Sequence, residues 1–136
     1  MRRRLLIVFA LVATAIMLLL PATTAAASPG KFGFVSGYCN GNVVFATFRL
    51  TKYSGFYATK LTMTAQGQGY WSGGWHNEGG STVFTKYDDS YSKTVFTQKI
   101  KWNPHESGSH RLKVVARIMD GSSVVGKGSD VSGYCG

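Results

Sequence analysis

The sequence predicts an antiparallel β-sandwich of the immunoglobulin-like kind, with seven or eight short strands and a disulfide tying the first to the last; a small closed β-barrel is the alternative. Three observations carry that prediction. Segment after segment alternates apolar and polar residues with the period of two that half-buried strands show. Clusters of Gly, Asn, Asp and Ser separate these segments, and nothing beyond Pro29 has the three-and-four apolar spacing of a helix longer than one turn. Two cysteines, Cys39 and Cys135, sit near the two ends of the segmented region. A composition of 44% hydrophobic and 15% charged residues, with 17 Gly and 3 Pro, fits one core and excludes disordered or collagen-like chains.

The N-terminus is read separately from this body. Arg2, Arg3 and Arg4 precede an apolar run from Leu5 to Leu20, followed by Pro21 and small residues ending Ala25-Ala26-Ala27. That is the order of a general secretory signal of the bacterial type, with small side chains at Ala25 and Ala27 for the peptidase and cleavage after Ala27. The run is shorter than the roughly 20 residues an anchor helix needs. Residues 1–27 are therefore expected to be a cleaved signal peptide and 28–136 a single secreted domain, too short for two.

Along that domain the first candidate strand is Phe32 to Tyr38, a weak one. Val43 to Tyr53 is stronger, with Val44, Ala46, Phe48 and Leu50 inward and Thr47, Arg49 and Thr51 outward. Tyr57, Thr59, Leu61, Met63 and Ala65 alternate with Lys60, Thr62, Thr64 and Gln66. Gly69 to His76 and Thr82 to Tyr87 are weak candidates. From Thr94 to Trp102, Phe96, Ile100 and Trp102 share a face opposed by Thr97, Lys99 and Lys101. Leu112, Val114, Ala116 and Ile118, opposed by Arg111, Lys113 and Arg117, make the clearest strand, and Val124 to Tyr134 is the last. Turn signals fall at Asn40-Gly41-Asn42, Ser54-Gly55, Gly73-Gly74, Glu78-Gly79-Gly80, Asp88-Asp89-Ser90, residues 103–108 and Asp120-Gly121-Ser122. Asp-Gly and Gly-Gly supply the positive φ that tight hairpins require.

In an oxidising compartment the two thiols of so small a domain pair, and two cysteines allow one intrachain connectivity. By the chain-entropy model a loop of this length contributes about 4 to 5 kcal/mol. The same pentapeptide surrounds each cysteine, Val35-Ser36-Gly37-Tyr38-Cys39 and Val131-Ser132-Gly133-Tyr134-Cys135. Joining them sets equivalent strand ends side by side, so the first and last strands are expected to be parallel neighbours.

Loss of Arg2, Arg3 and Arg4 leaves 12 basic residues against six acids, a net +6. Such a surface favours anionic partners such as wall polymers, acidic glycans or phospholipid head groups. Nucleic acid is not expected at that address, and membrane contact only at an anionic surface. The same lysines would also keep strand edges from pairing.

Catalytic and metal chemistry find little support. His105-Glu106-Ser107-Gly108-Ser109-His110 is one residue too long for HExxH, follows a proline and cannot put both imidazoles on one helical face. A loop cluster of His105, His110 and His76 could hold a metal but no spacing supports it, and Asp88 with Asp89 lacks the oxygen-rich loop pattern of a calcium site. The acids Glu78, Asp88, Asp89, Glu106, Asp120 and Asp130 mostly stand beside Gly or Ser, where turn chemistry accounts for them. There is no GxSxG and no phosphate loop. Neither an enzyme nor a cofactor nor a metal is expected.

Aromatic surface remains. The exported domain holds 17 aromatic residues, more than its core needs, densest in Tyr70-Trp71-Ser72-Gly73-Gly74-Trp75-His76. Flat rings on rigid strands offer contact area at small entropic cost; the competing use is a core hairpin whose tryptophans cover the sandwich end. Trp102 is expected in the core and Phe45 on the surface. The function expected is a secreted, non-catalytic binding module that engages an extracellular glycan, cell-wall polymer or protein through Tyr70, Trp71 and Trp75, aided by Arg111, Lys113 and Arg117. The alternative is a small basic effector, a membrane-active toxin or an enzyme inhibitor.

Overall fold

A computed structural model describes residues 27–136. The expected signal peptide lies, but for Ala27, outside the described residues. Seven antiparallel strands form two sheets: β1 (Gly30–Asn40), β2 (Val43–Lys52), β3 (Ala58–Trp71), β4 (Gly74–Ser90), β5 (Thr94–Trp102), β6 (His110–Asp120) and β7 (Ser123–Val131). One sheet has the order β1-β2-β5 and the other β4-β3-β6-β7. This is an open sandwich and not a closed barrel. It departs from the constant-type immunoglobulin order, which would set β4 beside β5; here β4 pairs with β3 along almost its whole length.

The core sits where the period-two faces meet. Val44, Ala46, Phe48 and Leu50 of β2 and Phe96 and Ile100 of β5 face Leu61, Met63 and Ala65 of β3 and Leu112, Val114, Ala116 and Ile118 of β6; all are buried. β2, β3 and β6 are interior strands of their sheets, so each must bury one face and expose the other, and their alternation is clean.

Of the weak candidates, one is corrected and one is extended. Gly69 to His76 is not a strand but a hairpin, the end of β3 and the start of β4 joined at Ser72-Gly73, both at positive φ. Thr82 to Tyr87 is the middle of the 17-residue β4. Glu78-Gly79-Gly80 is therefore no turn: the register slips between Gln66 and Gly67, leaving Gly79 and Gly80 as a bulge with Gly79 at φ 66°. Local glycine chemistry serves a bulge as readily as a turn. Asp88-Asp89-Ser90 likewise ends β4, with a second slip opposite Ala58 and Lys60.

Cys39 and Cys135 are bonded, with Cα atoms 5.6 Å apart. The expected pairing of the first and last strands needs amending, because β1 and β7 are edge strands of different sheets. They do run in the same direction. A Cβ on Gly126 would touch Pro29 and one on Gly128 would touch Phe32, while the Phe34 amide donates to the Asp130 carboxylate at 2.8 Å. The disulfide closes this open side of the sandwich. Cys135 itself lies beyond β7, its backbone paired with His110.

At the far end of β2, Lys52 falls on the inward series and its side chain is fully buried. Its ammonium lies 2.6 Å from Asp88 Oδ2, and it donates to the Ser90 carbonyl. Asp88 also accepts from Ser90 Oγ and Thr94 Oγ1. Burial alone would raise the Asp88 pKa; the bonds from Lys52, Ser90 and Thr94 outweigh it and hold the carboxyl below its ordinary range.

Candidate binding surface

On the outer face of the four-stranded sheet, register decides which side chains meet. Gln68 lies opposite Arg111 on one side and Asn77 on the other, and Tyr70 lies opposite Trp75. Positions of equal parity on neighbouring strands share a face, so Gln68, Tyr70, Trp75, Asn77 and Arg111 form one cluster. The Arg111 guanidinium sits over the Trp75 indole, 4.2 Å from its centroid. Its Nε donates to Gln68 Oε1 at 2.9 Å, and Gln68 Nε2 donates to Asn77 Oδ1 at 3.0 Å. Partial burial lowers the Arg111 pKa from its ordinary value, and a guanidinium keeps its charge regardless.

Around this centre Tyr70 meets Trp75 edge-on, with centroids 5.3 Å apart, and Tyr134 tilts against it at 6.3 Å. Tyr70 is 50% exposed and Tyr134 68%, while Trp75 is half-buried. A main-chain bond from the Tyr70 amide to the Ser109 carbonyl fixes the hairpin against the loop before β6. The result is an aromatic platform whose central ring is stacked and whose stacking cation is itself hydrogen-bonded.

The six residues singled out in the sequence do not all belong to it. Tyr70, Trp75 and Arg111 converge. Trp71 does not, because neighbouring residues on a strand point to opposite faces; it stacks on His76 at 4.4 Å and lines a separate cleft with Glu78, Trp102 and His105. Lys113 is exposed two residues beyond Arg111, about 7 Å along β6. Arg117 lies six residues away, about 20 Å, half-buried and opposite Lys127 of β7.

Tyr134 was missed, although the repeated pentapeptide offered a signal: each copy sets a tyrosine beside a half-cystine. The other copy, Tyr38, stacks on Phe45 at 4.6 Å on the outer face of the three-stranded sheet, with the Lys101 ammonium 5.7 Å from the Phe45 centroid. Phe45 is half-buried there. Trp102 is partly buried against the core, with its ring on Gly67. The buried His110 places Nε2 3.3 Å from Glu78 Oε2. Among the described residues no three His, Cys, Asp or Glu side chains are grouped to hold a metal ion.

Fold and surface together define a small, disulfide-closed β-sandwich with a fixed aromatic platform at one end. No family model matches this chain, and no curated protein is similar to it by sequence. Among solved structures it is similar to one described as a putative beta-galactosidase from Bacteroides fragilis, at 18% identity and a TM-score of 0.47. The match covers 81% of this chain but only 16% of that one, so the chain spans a small part of the length of the structure it resembles.

Proposed function

We propose that this protein is a non-catalytic binding module that engages an extracellular glycan through the platform of Tyr70, Trp75 and Tyr134. The observation that carries the reading is the stacked Arg111–Trp75 pair with its bond to Gln68. An aromatic surface ordered before binding loses little side-chain entropy when a sugar ring stacks on it. The guanidinium edge adds donors for hydroxyl or carboxylate oxygens. A disulfide bridging 96 positions suits an oxidising, extracellular address.

The test is retention on insoluble chitin, cellulose and purified cell-wall polymer. Wild-type protein is retained on at least one, and Trp75→Ala weakens retention by about tenfold or more, the equivalent of about 1.4 kcal/mol. Retention unchanged by Trp75→Ala together with Tyr70→Ala rejects the platform.

A second reading, a basic effector at an anionic surface, draws on Arg117 facing Lys127 across the β6–β7 ladder with Lys113 on the same outer face. Its signature is salt-sensitive binding to anionic vesicles, which neutral glycan binding lacks.

A further inference from the structure

We propose that the opposite face of the β3–β4 hairpin carries a second saccharide site, a cleft that takes one uncharged pyranose ring against Trp71 and Trp102 and bonds its hydroxyls through Glu78 and Glu106. The proposal rests on the glycan-binding reading and extends it to a second, chemically different subsite. The cleft has a volume of about 350 Å³ and is lined by Trp71, Glu78, Trp102, Pro104, His105 and Glu106 with the backbone of Gly79. That volume lies in the ordinary range of small-ligand sites.

The cleft is built by what β3 leaves out. Its inward series runs Leu61, Met63, Ala65 and then Gly67 and Gly69, so the last two positions present bare backbone. A Cβ on Gly67 would sit 2.2 Å from the Trp102 ring. A Cβ on Gly69 would sit 2.1 Å from Glu78 Oε1 and 2.8 Å from the Trp71 ring. Both indoles and one carboxylate therefore rest directly on the strand. The β4 bulge lets Glu78 reach this floor, and Gln66 Nε2 clasps the bulge by donating to the Glu78 carbonyl at 2.8 Å. Trp71 is propped by His76, whose ring stacks on the indole and whose Nε2 lies 3.0 Å from the Trp71 carbonyl, yet it stays 43% exposed.

The lining selects the chemistry. Two indoles offer stacking area for the C–H face of a sugar ring, and the carboxylates accept from its hydroxyls. Neither lysine nor arginine lines the cleft, so an acidic sugar would bring its carboxylate beside Glu78 and Glu106 with no permanent cation in the lining to attract it. A cationic ligand is the lesser fit: Glu78 already has the His110 imidazole at 3.3 Å, and Glu106 is exposed, where water weakens its pull. The outer platform, with the Arg111 guanidinium at its centre, sets no such bar to an acidic sugar and admits neutral ones too.

The test is calorimetric titration of the disulfide-intact protein with cellohexaose, chitohexaose, mannohexaose, hexagalacturonate and tetramethylammonium. Trp71→Ala, Glu78→Gln, Glu106→Gln and Trp75→Ala are titrated alongside wild type, with near-ultraviolet circular dichroism to verify folding. At least one neutral hexasaccharide is expected to bind wild type, to bind Trp71→Ala about tenfold more weakly, and to bind Glu106→Gln severalfold more weakly. Trp75→Ala is expected to retain this cleft component while losing the platform's own share of saccharide binding, hexagalacturonate included. Neutral binding lost in Trp75→Ala but intact in Trp71→Ala overturns the cleft and leaves the platform standing. Tetramethylammonium bound in the cleft ahead of every neutral sugar also overturns it, and no binding of any saccharide by wild type removes both sites.

Discussion

Replacing Asp88 by alanine strands the Lys52 ammonium in a place water does not reach. The Lys52 side chain has no exposed surface, and Asp88 is the one carboxylate within ion-pairing distance of it among the described residues. Breaking a buried pair from one side typically costs about 3 to 5 kcal/mol, because the remaining charge stays desolvated. For a domain of this size, whose whole stability is on the order of 5 to 15 kcal/mol, that is a large share. The urea midpoint of Asp88→Ala should fall accordingly under non-reducing conditions, and the thermal midpoint by roughly 12 to 25 °C. Replacing both partners with apolar residues of similar volume should recover most of the loss, since the pair's desolvation cost disappears with it. The acid limb offers an independent reading. Asp88 in the folded state has a pKa below its ordinary 3.8, so its contribution is fully present above that value and is lost as pH falls through it towards the lower folded-state pKa. Wild type should therefore destabilise over that window, and Asp88→Asn, already weakened, should show a flatter limb there. A loss below about 1 kcal/mol for Asp88→Ala, within the range of exposed ion pairs, would refute the reasoning.

Two further outcomes follow from the packing. Cys39→Ser with Cys135→Ser should lower the stability measured by urea unfolding by about 2 to 5 kcal/mol, and native-state hydrogen exchange should rise first along β1 and β7, the edge strands the bridge holds together. Gly67→Ala drives a methyl into the Trp102 ring and should cost about 1 to 3 kcal/mol, with a shift in tryptophan emission; Gly80→Ala, with open space around its Cβ position, should cost under 1 kcal/mol.

Much of the fold was legible because interior strands of a two-layer body bury one face each. The series 44-46-48-50, 61-63-65 and 112-114-116-118 were readable as core for that reason, and 96-100 because the edge strand β5 still lays one face on the same core; all are buried. β4 was not readable as one strand: it is an edge strand, largely exposed on both faces, so no burial imposes an alternation on it. Its Gly79-Gly80 bulge has the same local chemistry as a turn. The platform was half legible. Tyr70, Trp71 and Trp75 were picked out by density, but strand parity separates Trp71 from the other two, and Tyr134 joins them from the far end of the chain.

What the sequence determined by itself was the all-strand class, the inward faces of the interior strands and the bridge between Cys39 and Cys135, because alternation, turn chemistry and a single pair of thiols are local or combinatorial constraints. Only the tertiary structure decided that Arg111 stacks on Trp75, that Lys52 finds Asp88, and that Glu78 reaches His110 over a strip of bare glycine backbone. Those meetings depend on sheet register, two bulges and the placing of β4 beside β3, which no short window of residues encodes.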